Sequence, residues 1–510
     1  MPSKVFPLLR RAALCSAALG MLSAVSCKPV EPPKPPDPPP LAVTEEAPVD
    51  PVTAGRVYPE PPAPTEPRPV NFPKIETFEA SNGIRVFVVE NHEVPTVSTQ
   101  LVVRAGTQDS EFLARFAAEM LSEGTAARSK AKIDEAIEFV GGTLGAAPGR
   151  HTTTVFTHSL HRDLKLALVL MADQVMKATF PAESLSKLKQ LARAEVRMAG
   201  SDAGTLADRL FNHVAYPDGH PYGRLLPTEE EIEAVTVAEV RKFYSTFYRP
   251  NNAFLIFSGD VTATEAKPIV ERTFARWARV ADSKLPTNPL NKFRQYTVPA
   301  ELVVHVVDRP GSDHVEIRMG TVALARNHED WVALQVANSI LGDDAGGRLF
   351  QDLREDQGLA YGVYSRVSKG QAPGTFSVTT STKAESIGPM LAGIFGHVQR
   401  LRTEEPTAEE FDATVQKMVG QFPLEVETAG DIVNKVQESL VYGLSNDYWS
   451  NYRDEIRAVK RSDVQRVAQR YMHAIPHVVI VGDAADIKAQ VSTVLKSAII
   501  KVYDTSLQLK

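Results

Sequence analysis

The segment YRPNNAFLIFSGD, residues 248–260, decides the fold because its pattern returns near the end of the chain. The second copy, YMHAIPHVVIVGD, occupies residues 471–483. In both segments the glycine of a Gly-Asp pair stands eleven positions after the tyrosine, and a helical pattern precedes the tyrosine. An offset of 223 residues is too long for a solenoid repeat and indicates duplication of a whole domain.

A second repeat extends this prediction to both halves. The strand pattern at residues 97–104 recurs at residues 315–322, an offset near 218. Alternating apolar residues predict a further strand at 375–382, and an amphipathic pattern predicts a helix at 331–341. This mixture predicts an α+β fold with two homologous halves, in which helices pack on a mainly antiparallel sheet.

Composition divides the chain into five predicted segments. We expect a leader over residues 1–26, a proline-rich tether over 27–73, an N-terminal domain over 74–280, a linker over 281–299 and a C-terminal domain over 300–510. The 43% of hydrophobic and 23% of charged residues are typical of a globular protein. With a net charge of −6 and no Lys/Arg-rich run, nucleic acid is not an expected partner.

The first 27 residues have the pattern of an export signal with a lipid attachment site. Basic residues precede an apolar run that is too short to span a bilayer, and LSAVSC at 22–27 resembles a bacterial lipobox. We therefore expect an exported lipoprotein that faces the periplasm and is anchored to the membrane through diacylated Cys27. Lys28 favours the outer membrane. An ordinary secretory signal cut nearby is the alternative.

The tether contains 17 prolines between Pro29 and Pro73 and few large apolar residues, so it cannot form a core. We expect a polyproline-like or disordered spacer, with recognition by a proline-binding module as the alternative. The two cysteines of the chain, Cys15 and Cys27, both precede the domains, so no disulfide is expected there.

The segment SEFLARFAAEMLSEGT, residues 110–125, predicts a helix in the first half. Apolar side chains recur along it at spacings of three and four, Ser110 can cap its start, and a glycine follows its end. The face opposite the apolar one is expected to carry Arg115, Ala118 and Glu119.

From residue 74 onward the chain resembles the pitrilysin/insulinase family of metallopeptidases, which are inverzincins. The resemblance rests on NGIRVFVVEN (82–91), VRAGTQDSE (103–111), HPYG (220–223) and RLFQDLREDQGLAYGVYS (348–365). It implies that each half is a pair of similar α/β subdomains, and that the two halves close like a clam around an extended peptide.

The zinc positions of the family are altered in this chain. In the family a helix carries His-x-x-Glu-His, whose histidines hold Zn²⁺ and whose glutamate activates water. Here the five positions read RFAAE, from Arg115 through Ala118 to Glu119, and the third ligand position, 76 residues farther on, is Glu195. A guanidinium has no lone pair for a metal, and Ala118 cannot act as a base. We expect no zinc, no catalysis by this site, and ion pairs from Arg115 to both glutamates.

Other residues offer no replacement for the missing ligands. His151, His158 and His161 lie close in sequence, but the first two would point to opposite faces of a strand, and we expect surface or loop histidines. Gly145 stands where the substrate-binding edge of the family has asparagine. The first half is therefore expected to have lost much of its peptide-binding apparatus together with its metal.

Arg354 and Tyr361 match the paired arginine and tyrosine that the family's second half extends toward substrate. The local pattern predicts a helix ended by Gly358 and then a strand over 359–367, with Arg354 near the helix C-terminus and Tyr361 on the strand. The resemblance gives them hydrogen bonds to the substrate backbone and to the developing oxyanion. In the structural alternative, the arginine complements the helix dipole and the tyrosine fills a core.

These features predict the non-zinc subunit of a heterodimeric periplasmic metallopeptidase. A homologous subunit with His-x-x-Glu-His would hold the zinc, and this chain would supply Arg354 and Tyr361 for hydrolysis of short or unfolded peptides. By itself the chain would be a pseudoenzyme. A structural or peptide-binding scaffold is the first alternative, and a zinc metalloendopeptidase with atypical ligands is the second.

Overall fold

The computed structural model describes residues 72–296 and 298–510. The predicted leader, the lipidation site Cys27 and the tether up to residue 71 lie outside the described residues. No helix in the described part combines the length and the apolar character that crossing a membrane requires.

Twelve strands form two sheets in this part of the chain. They are β1 (Ile75–Glu79), β2 (Arg85–Glu90), β3 (Thr96–Val103), β4 (Thr143–Pro148), β5 (Thr153–Leu160), β6 (Ala253–Gly259), β7 (Val303–Asp308), β8 (His314–Val322), β9 (Ala360–Val367), β10 (Thr375–Lys383), β11 (His477–Gly482) and β12 (Ile499–Tyr503). The first sheet has the order β1-β2-β6-β3-β5-β4 and the second β12-β7-β11-β8-β10-β9. Seven of the ten neighbouring pairs are antiparallel, which confirms the mainly antiparallel sheets.

Sixteen α-helices surround the sheets in the described residues. They are α1 (Glu111–Met120), α2 (Lys130–Phe139), α3 (Leu164–Lys177), α4 (Ala182–Ser201), α5 (Ala203–Ala215), α6 (Glu229–Ala234), α7 (Val237–Phe247), α8 (Ala263–Phe274), α9 (Trp331–Leu341), α10 (Arg348–Phe350), α11 (Ile387–Thr403), α12 (Ala408–Gln421), α13 (Ala429–Tyr442), α14 (Tyr448–Ala458), α15 (Arg461–Tyr471) and α16 (Ala484–Val494). Capping boxes begin α6, α7, α8 and α13, where a threonine and the acidic residue three positions later bond each other's backbone.

The repeated segments occupy equivalent places in the two sheets. The segment at 248–260 forms β6 and its counterpart forms β11, and each is the third strand of its sheet. The second repeat forms β3 and β8, which lie next to them as the fourth strands. The α+β class and the two related halves are therefore confirmed.

The structure corrects one finer expectation and shows one feature that the sequence did not predict. Each half holds one six-stranded sheet instead of a pair of subdomains, because each half supplies only six strands and all six join one sheet. The first strand in the order of each sheet comes from a different part of the chain. In the first sheet this strand is β1, which precedes β2 in sequence and pairs antiparallel with it. In the second sheet it is β12, the last strand in sequence, which pairs parallel with β7. The duplication therefore preserves the strand order but not the origin of the edge strand.

Each half places one helix on the sheet of the other half. Helix α5 packs on β8 and β11, where Leu206 and Leu210 join an apolar cluster with Val479. Helix α13 packs on β3 and β6, where Ile432 joins a second cluster with Phe254. Moving the halves apart would expose both clusters to water. The packing therefore opposes clam-like closure between the two halves of this chain.

The HPYG motif joins the two halves. The Tyr222 hydroxyl accepts the backbone N–H of Ala372 at 3.4 Å and lies 3.3 Å from Nε2 of His151. The Tyr216 hydroxyl donates to the Pro373 carbonyl at 3.0 Å. His151 is only 5% exposed, and burial and the charge of Arg150 lower its pKa to about 3. His151 thus lies in the loop between β4 and β5, as one of the two expectations states, but it is buried instead of lying at the surface, because the tyrosine and Gln108 satisfy its ring nitrogens.

Candidate functional site

Helix α1 carries the positions that correspond to the zinc helix of the family. The Ser110 hydroxyl accepts the Leu113 backbone N–H at 3.4 Å, so the predicted cap is present. The α-helix ends at Met120 and continues as a 3₁₀ turn to Glu123, and Gly124 follows with a φ of +116°. The helix predicted at 110–125 is thus confirmed. Its last turn is a 3₁₀ turn, which is wound more tightly than an α-helix.

Arg115 bonds both glutamates across two helices. Its Nε donates to Oε1 of Glu119 at 2.8 Å, one turn farther along α1. Its terminal nitrogens donate to the two carboxylate oxygens of Glu195 on α4, at 2.5 and 3.0 Å. This forked arrangement matches the geometry in which a guanidinium holds a carboxylate most strongly. We call Arg115, Glu119 and Glu195 the arginine–carboxylate cluster.

The charges within the cluster stabilise one another. The hydrogen bond from Arg115 lowers the pKa of Glu195, and the hydrogen bond to Glu195 raises the pKa of Arg115. Oε2 of Glu119 is buried and has no hydrogen-bond partner among the described residues. The side chains of Arg115 and Glu195 are 26% and 56% exposed, so the cluster opens to solvent on the side of α4.

Ala118 does not lie on the open face that the sequence predicts for it. It is fully buried, because α4, α7 and β4 pack around α1 on several sides. The position of the family's base is thus occupied by a buried alanine, which has no carboxylate. The remaining residues also do not suit Zn²⁺, since the guanidinium of Arg115 lacks a lone pair and both glutamates already accept its N–H groups. In the described ranges, no group of three or more His, Cys, Asp and Glu side chains is arranged to hold a metal ion.

On the edge strand beside this helix, the exposed ring of Phe156 lies over Gly145, the position where the family has asparagine. Gly145 on β4 lies directly opposite Phe156 on β5. A Cβ atom at Gly145 would lie 2.6 Å from the ring of Phe156, which is closer than such atoms approach in proteins. The aromatic ring therefore covers the backbone at the place where the family's edge strand carries a side chain.

Arg354 and Tyr361 are positioned by a helix, a turn and an edge strand. Helix α10 continues as a π-helical turn over Gln351–Asp356, and Gly358 ends it with a φ of +63° before β9 begins. Leu353 is fully buried and anchors the turn. The predicted helix and strand are confirmed. The π-helical turn was not predicted, because no sequence pattern separates it from an α-helix, yet such turns are frequent at functional sites.

The side chains of Arg354 and Tyr361 form a pair at the surface, in which the arginine is 35% exposed. The guanidinium carbon of Arg354 lies 4.8 Å from the centre of the Phe350 ring and 5.5 Å from that of Tyr361. Its ionic partner is the adjacent Glu355. Tyr361 is 90% exposed, so it does not fill a core as the structural alternative requires. We call these two residues the Arg354–Tyr361 pair.

The cluster and the pair occupy similar places in different halves. The cluster lies beside β4, and the pair lies on β9 and the turn before it; β4 and β9 are outermost strands of their sheets. No hydrogen bond or ion pair between described residues joins the cluster to the pair. The structure thus brings together the predicted residues within each group, but not the two groups, and Cys27 lies outside the described part.

Known proteins with related sequences cover most of the chain. The profile described as insulinase (peptidase family M16) matches residues 85–220, and the profile described as peptidase M16 inactive domain matches residues 234–418. An uncharacterized zinc protease of Streptomyces coelicolor is 26% identical over 371 residues, which are 72% of this chain and 80% of that protein. The zinc protease PqqE of Helicobacter pylori is 23% identical over 78% of this chain and 90% of its own length.

A solved structure has the same fold. The crystal structure described as a peptidase M16 inactive domain from Pseudomonas fluorescens superposes with a TM-score of 0.71 at 24% identity, covering 81% of this chain and 98% of that chain. The two family profiles together match more than half of the 510 residues and include the helix of the cluster as well as the Arg354–Tyr361 pair. The chain is therefore a member of peptidase family M16, the pitrilysin/insulinase family.

Proposed function

We propose that this chain is the non-zinc subunit of a two-chain peptidase. A homologous subunit holds zinc in His-x-x-Glu-His, and this chain presents Arg354 and Tyr361 to the peptide bound there. The observation that carries the proposal is the outward presentation of the pair. Tyr361 is 90% exposed on an edge strand, and the guanidinium of Arg354 lies 5.5 Å from its ring without engaging any carboxylate of the core.

The packing of the two halves supports the need for a second chain. Because α5 and α13 are exchanged between the sheets, a peptide chamber cannot open between the halves without exposing two apolar clusters. Among the described residues, no hydrogen bond or ion pair joins the cluster to the Arg354–Tyr361 pair. A peptide held by the pair and by a zinc site would therefore lie between two subunits.

The chemistry of the pair suits the stabilisation of developing negative charge. A phenol hydroxyl on a rigid strand donates one hydrogen bond to the oxygen that gains charge during attack on a peptide carbonyl. The guanidinium donates to the peptide backbone in a fixed fork and adds a positive charge next to the oxygen that gains negative charge. Zinc in the partner would supply the activated water. In this chain, the arginine–carboxylate cluster takes no part in the reaction.

The proposal includes export and attachment to a membrane through Cys27. The leader pattern and the lipobox-like LSAVSC support it, and the proline-rich tether could hold the domains on the order of 100 Å from the membrane. Expression of the full chain with labelled fatty acid should give a labelled protein, and Cys27→Ser should remove the label. A labelled Cys27→Ser variant, or an unlabelled wild-type chain, would contradict this part of the proposal.

Reconstitution tests the central claim. The mature chain should cleave no quenched fluorescent peptide, and addition of the His-x-x-Glu-His subunit encoded beside it should give turnover that a chelator abolishes. Tyr361→Phe should lower kcat by roughly 100-fold, the scale found for loss of one oxyanion donor. Tyr364→Phe is the matched control, because Tyr364 is a less exposed tyrosine on the same strand, and kcat should not change.

The other outcomes identify the alternatives. Turnover and stoichiometric zinc in the isolated chain would indicate an endopeptidase with atypical ligands. Peptide binding without turnover in the mixture would indicate a scaffold. An unchanged kcat in Tyr361→Phe would refute the role of the pair in the partner's site.

A further inference from the structure

We propose that Phe350 is a positioning residue whose ring holds the guanidinium of Arg354 in the orientation that it presents to substrate. Phe350 lies on α10, four positions before Arg354. The inference rests on the proposed function, because the reaction that Arg354 serves is the one proposed above. The contact between the ring and the guanidinium is measurable without substrate, so it can stand or fail separately from that reaction.

The ring of Phe350 is held by the core of the second half. Phe350 is only 7% exposed, and Leu349 and Leu353 of the same segment are fully buried. Helix α10 packs against α9, α11 and β9. Leu353 lies so close to Gly393 of α11 that a Cβ atom added there would overlap it. Because the segment cannot shift without disturbing this close packing, the Phe350 ring has a fixed place.

Arg354 lies over this fixed ring. Its guanidinium carbon is 4.8 Å from the centre of the Phe350 ring and 5.5 Å from that of the Tyr361 ring. Both distances are in the range at which the face of an aromatic ring attracts a cation. The two rings differ in burial, since Phe350 is buried and Tyr361 is almost fully exposed. The nearer, buried ring therefore fixes the guanidinium, because an exposed ring can change its own rotamer.

The ion pair of Arg354 with Glu355 cannot replace this contact. Glu355 is the next residue in the chain, and both side chains of the pair are at least a third exposed. Water and salt screen such a pair, and ordering two long side chains costs entropy. Arginine has more rotamer freedom to lose than most side chains. Without the ring, the guanidinium would sample several orientations, including those toward Glu355, and would be ordered only when substrate binds.

The burial of Phe350 means that its effect on the reaction passes through Arg354. The ring offers almost no surface to a substrate, whereas a donor that is already oriented loses less entropy when the peptide binds. Phe350→Leu removes the ring face and should lower kcat/KM roughly three- to tenfold. Trifluorophenylalanine at position 350 keeps nearly the same shape but attracts a cation less, and it should lower kcat/KM by about twofold or more.

Magnetic resonance of the isolated mature chain with isotope-labelled arginine tests the contact without substrate. The signal of Arg354 is identified by its loss in Arg354→Ala. Phe350→Leu should shift the Arg354 Nε proton downfield, because the shielding by the ring face is lost. Tyr361→Ala should shift it less, since the Tyr361 ring lies farther from the guanidinium. A signal that Phe350→Leu leaves unchanged would overturn the inference.

Kinetics of the reconstituted two-chain enzyme test the positioning. In a double-mutant cycle, Phe350→Leu should lower kcat/KM in the wild-type chain and have no further effect in Arg354→Ala, because its effect passes through that guanidinium. Phe376→Leu is the matched control and should leave kcat/KM unchanged. Phe376 is a buried phenylalanine of the same half, and it pairs with Val367 at the end of β9 that lies farther from Tyr361.

The outcomes separate this inference from the proposed function. If the reconstituted mixture shows no turnover, the proposed function is refuted, and the resonance experiment alone decides whether the ring holds the guanidinium. Equal losses from Phe350→Leu in the wild-type and Arg354→Ala backgrounds would overturn the inference and leave the proposed function intact, as would an unchanged kcat/KM in an active mixture. If circular dichroism shows that Phe350→Leu is unfolded, the trifluorophenylalanine variant takes its place in both experiments, with the same outcomes deciding.

Discussion

The two halves of this protein use arginine in opposite ways. In the first half, Arg115 is 26% exposed and donates hydrogen bonds to two carboxylates of its own chain. In the second half, Arg354 stacks on Phe350 and lies beside a tyrosine that is 90% exposed. The residue type is the same, but Arg115 is held by two carboxylates of different helices, whereas the only ionic partner of Arg354 among the described residues is its sequence neighbour Glu355. The difference lies in the surrounding elements: two converging helices supply carboxylates in one case, and a π-helical turn with an edge strand supplies aromatic rings in the other.

Replacing the arginine by the family's ligands should have the largest effect. The double variant Arg115→His/Glu119→His places two imidazoles one turn apart on α1, next to the carboxylate of Glu195. We expect about one zinc ion per chain, since a three-ligand site of this type contributes binding free energy on the order of 10 kcal/mol. We expect no peptide turnover, because Ala118 is not a base.

Elemental analysis after dialysis measures this outcome. The matched control is Arg115→Gln/Glu119→Gln, which removes the same charges without adding a metal ligand, and it should retain no zinc. A histidine variant with no more zinc than this control would show that α1 and α4 do not hold their side chains as described.

Removing the presented arginine should have the next largest effect. In the reconstituted two-chain enzyme, Arg354→Ala should lower kcat by roughly 100- to 1000-fold, because a charged donor to the reacting peptide is lost. The unfolding temperature of the chain should remain nearly unchanged, since the side chain packs only at the surface. Arg366→Ala is the control, because Arg366 is an exposed arginine on β9, the strand that follows the turn of Arg354. An equal loss in both variants would attribute the effect to a disturbed strand.

Sequence patterns predict best the features that depend on residues close to one another in the chain. The arrangement of Arg354 and Tyr361 depends on a helix, Gly358 and a strand within twenty residues, and each has its own sequence signal. The contact between Arg115 and Glu195 bridges 80 positions, and only the spacing known for the family suggests it. The resemblance, and not the periodicity, therefore predicts the first site.

Other features depend on contacts that no local pattern specifies. The apolar face of α5 predicts burial, but it does not state that the covering sheet belongs to the other half. The parallel pairing of β12 with β7 likewise depends on which edge of the second sheet remains free after the other strands have paired. His151 is buried because Gln108 and Tyr222 reach it from distant segments. These features are set by tertiary contacts between distant segments, which override the structure that the local sequence favours.

A smaller effect should distinguish the neutralised arginine from surface arginines. Arg115→Leu leaves two carboxylates close together, one with a buried oxygen, and we expect it to lower the free energy of unfolding by about 1–3 kcal/mol. Arg197→Leu on α4 is the control, because Glu229 keeps Arg193 as its partner, and the loss should stay below about 0.5 kcal/mol. Equal losses, measured by denaturant unfolding, would mean that Arg115 does not hold the two glutamates together.

The smallest expected effect is a pH dependence of stability that involves Glu195 but not Arg354. Arg115 lowers the pKa of Glu195 from its ordinary value of 4.5, so the native state favours the ionised carboxylate. The resulting stability is complete above pH 4.5 and is lost as the pH falls through the lowered pKa. Because Glu195 is half exposed, Glu195→Gln should cost less than about 1 kcal/mol at pH 7. The difference from wild type should shrink below pH 4.5 and weaken in high salt.

A difference that stays constant between pH 7 and pH 3 would assign the effect of Glu195→Gln to packing instead of charge. Arg354→Ala provides the comparison within the same chain. Its only ionic partner among the described residues is the neighbouring Glu355, and solvent screens this pair because both side chains are at least a third exposed, so the stability difference from wild type should depend little on pH. A pH dependence in both variants would mean that the two arginines hold carboxylates alike, and the contrast between a neutralised and a presented cation would no longer stand.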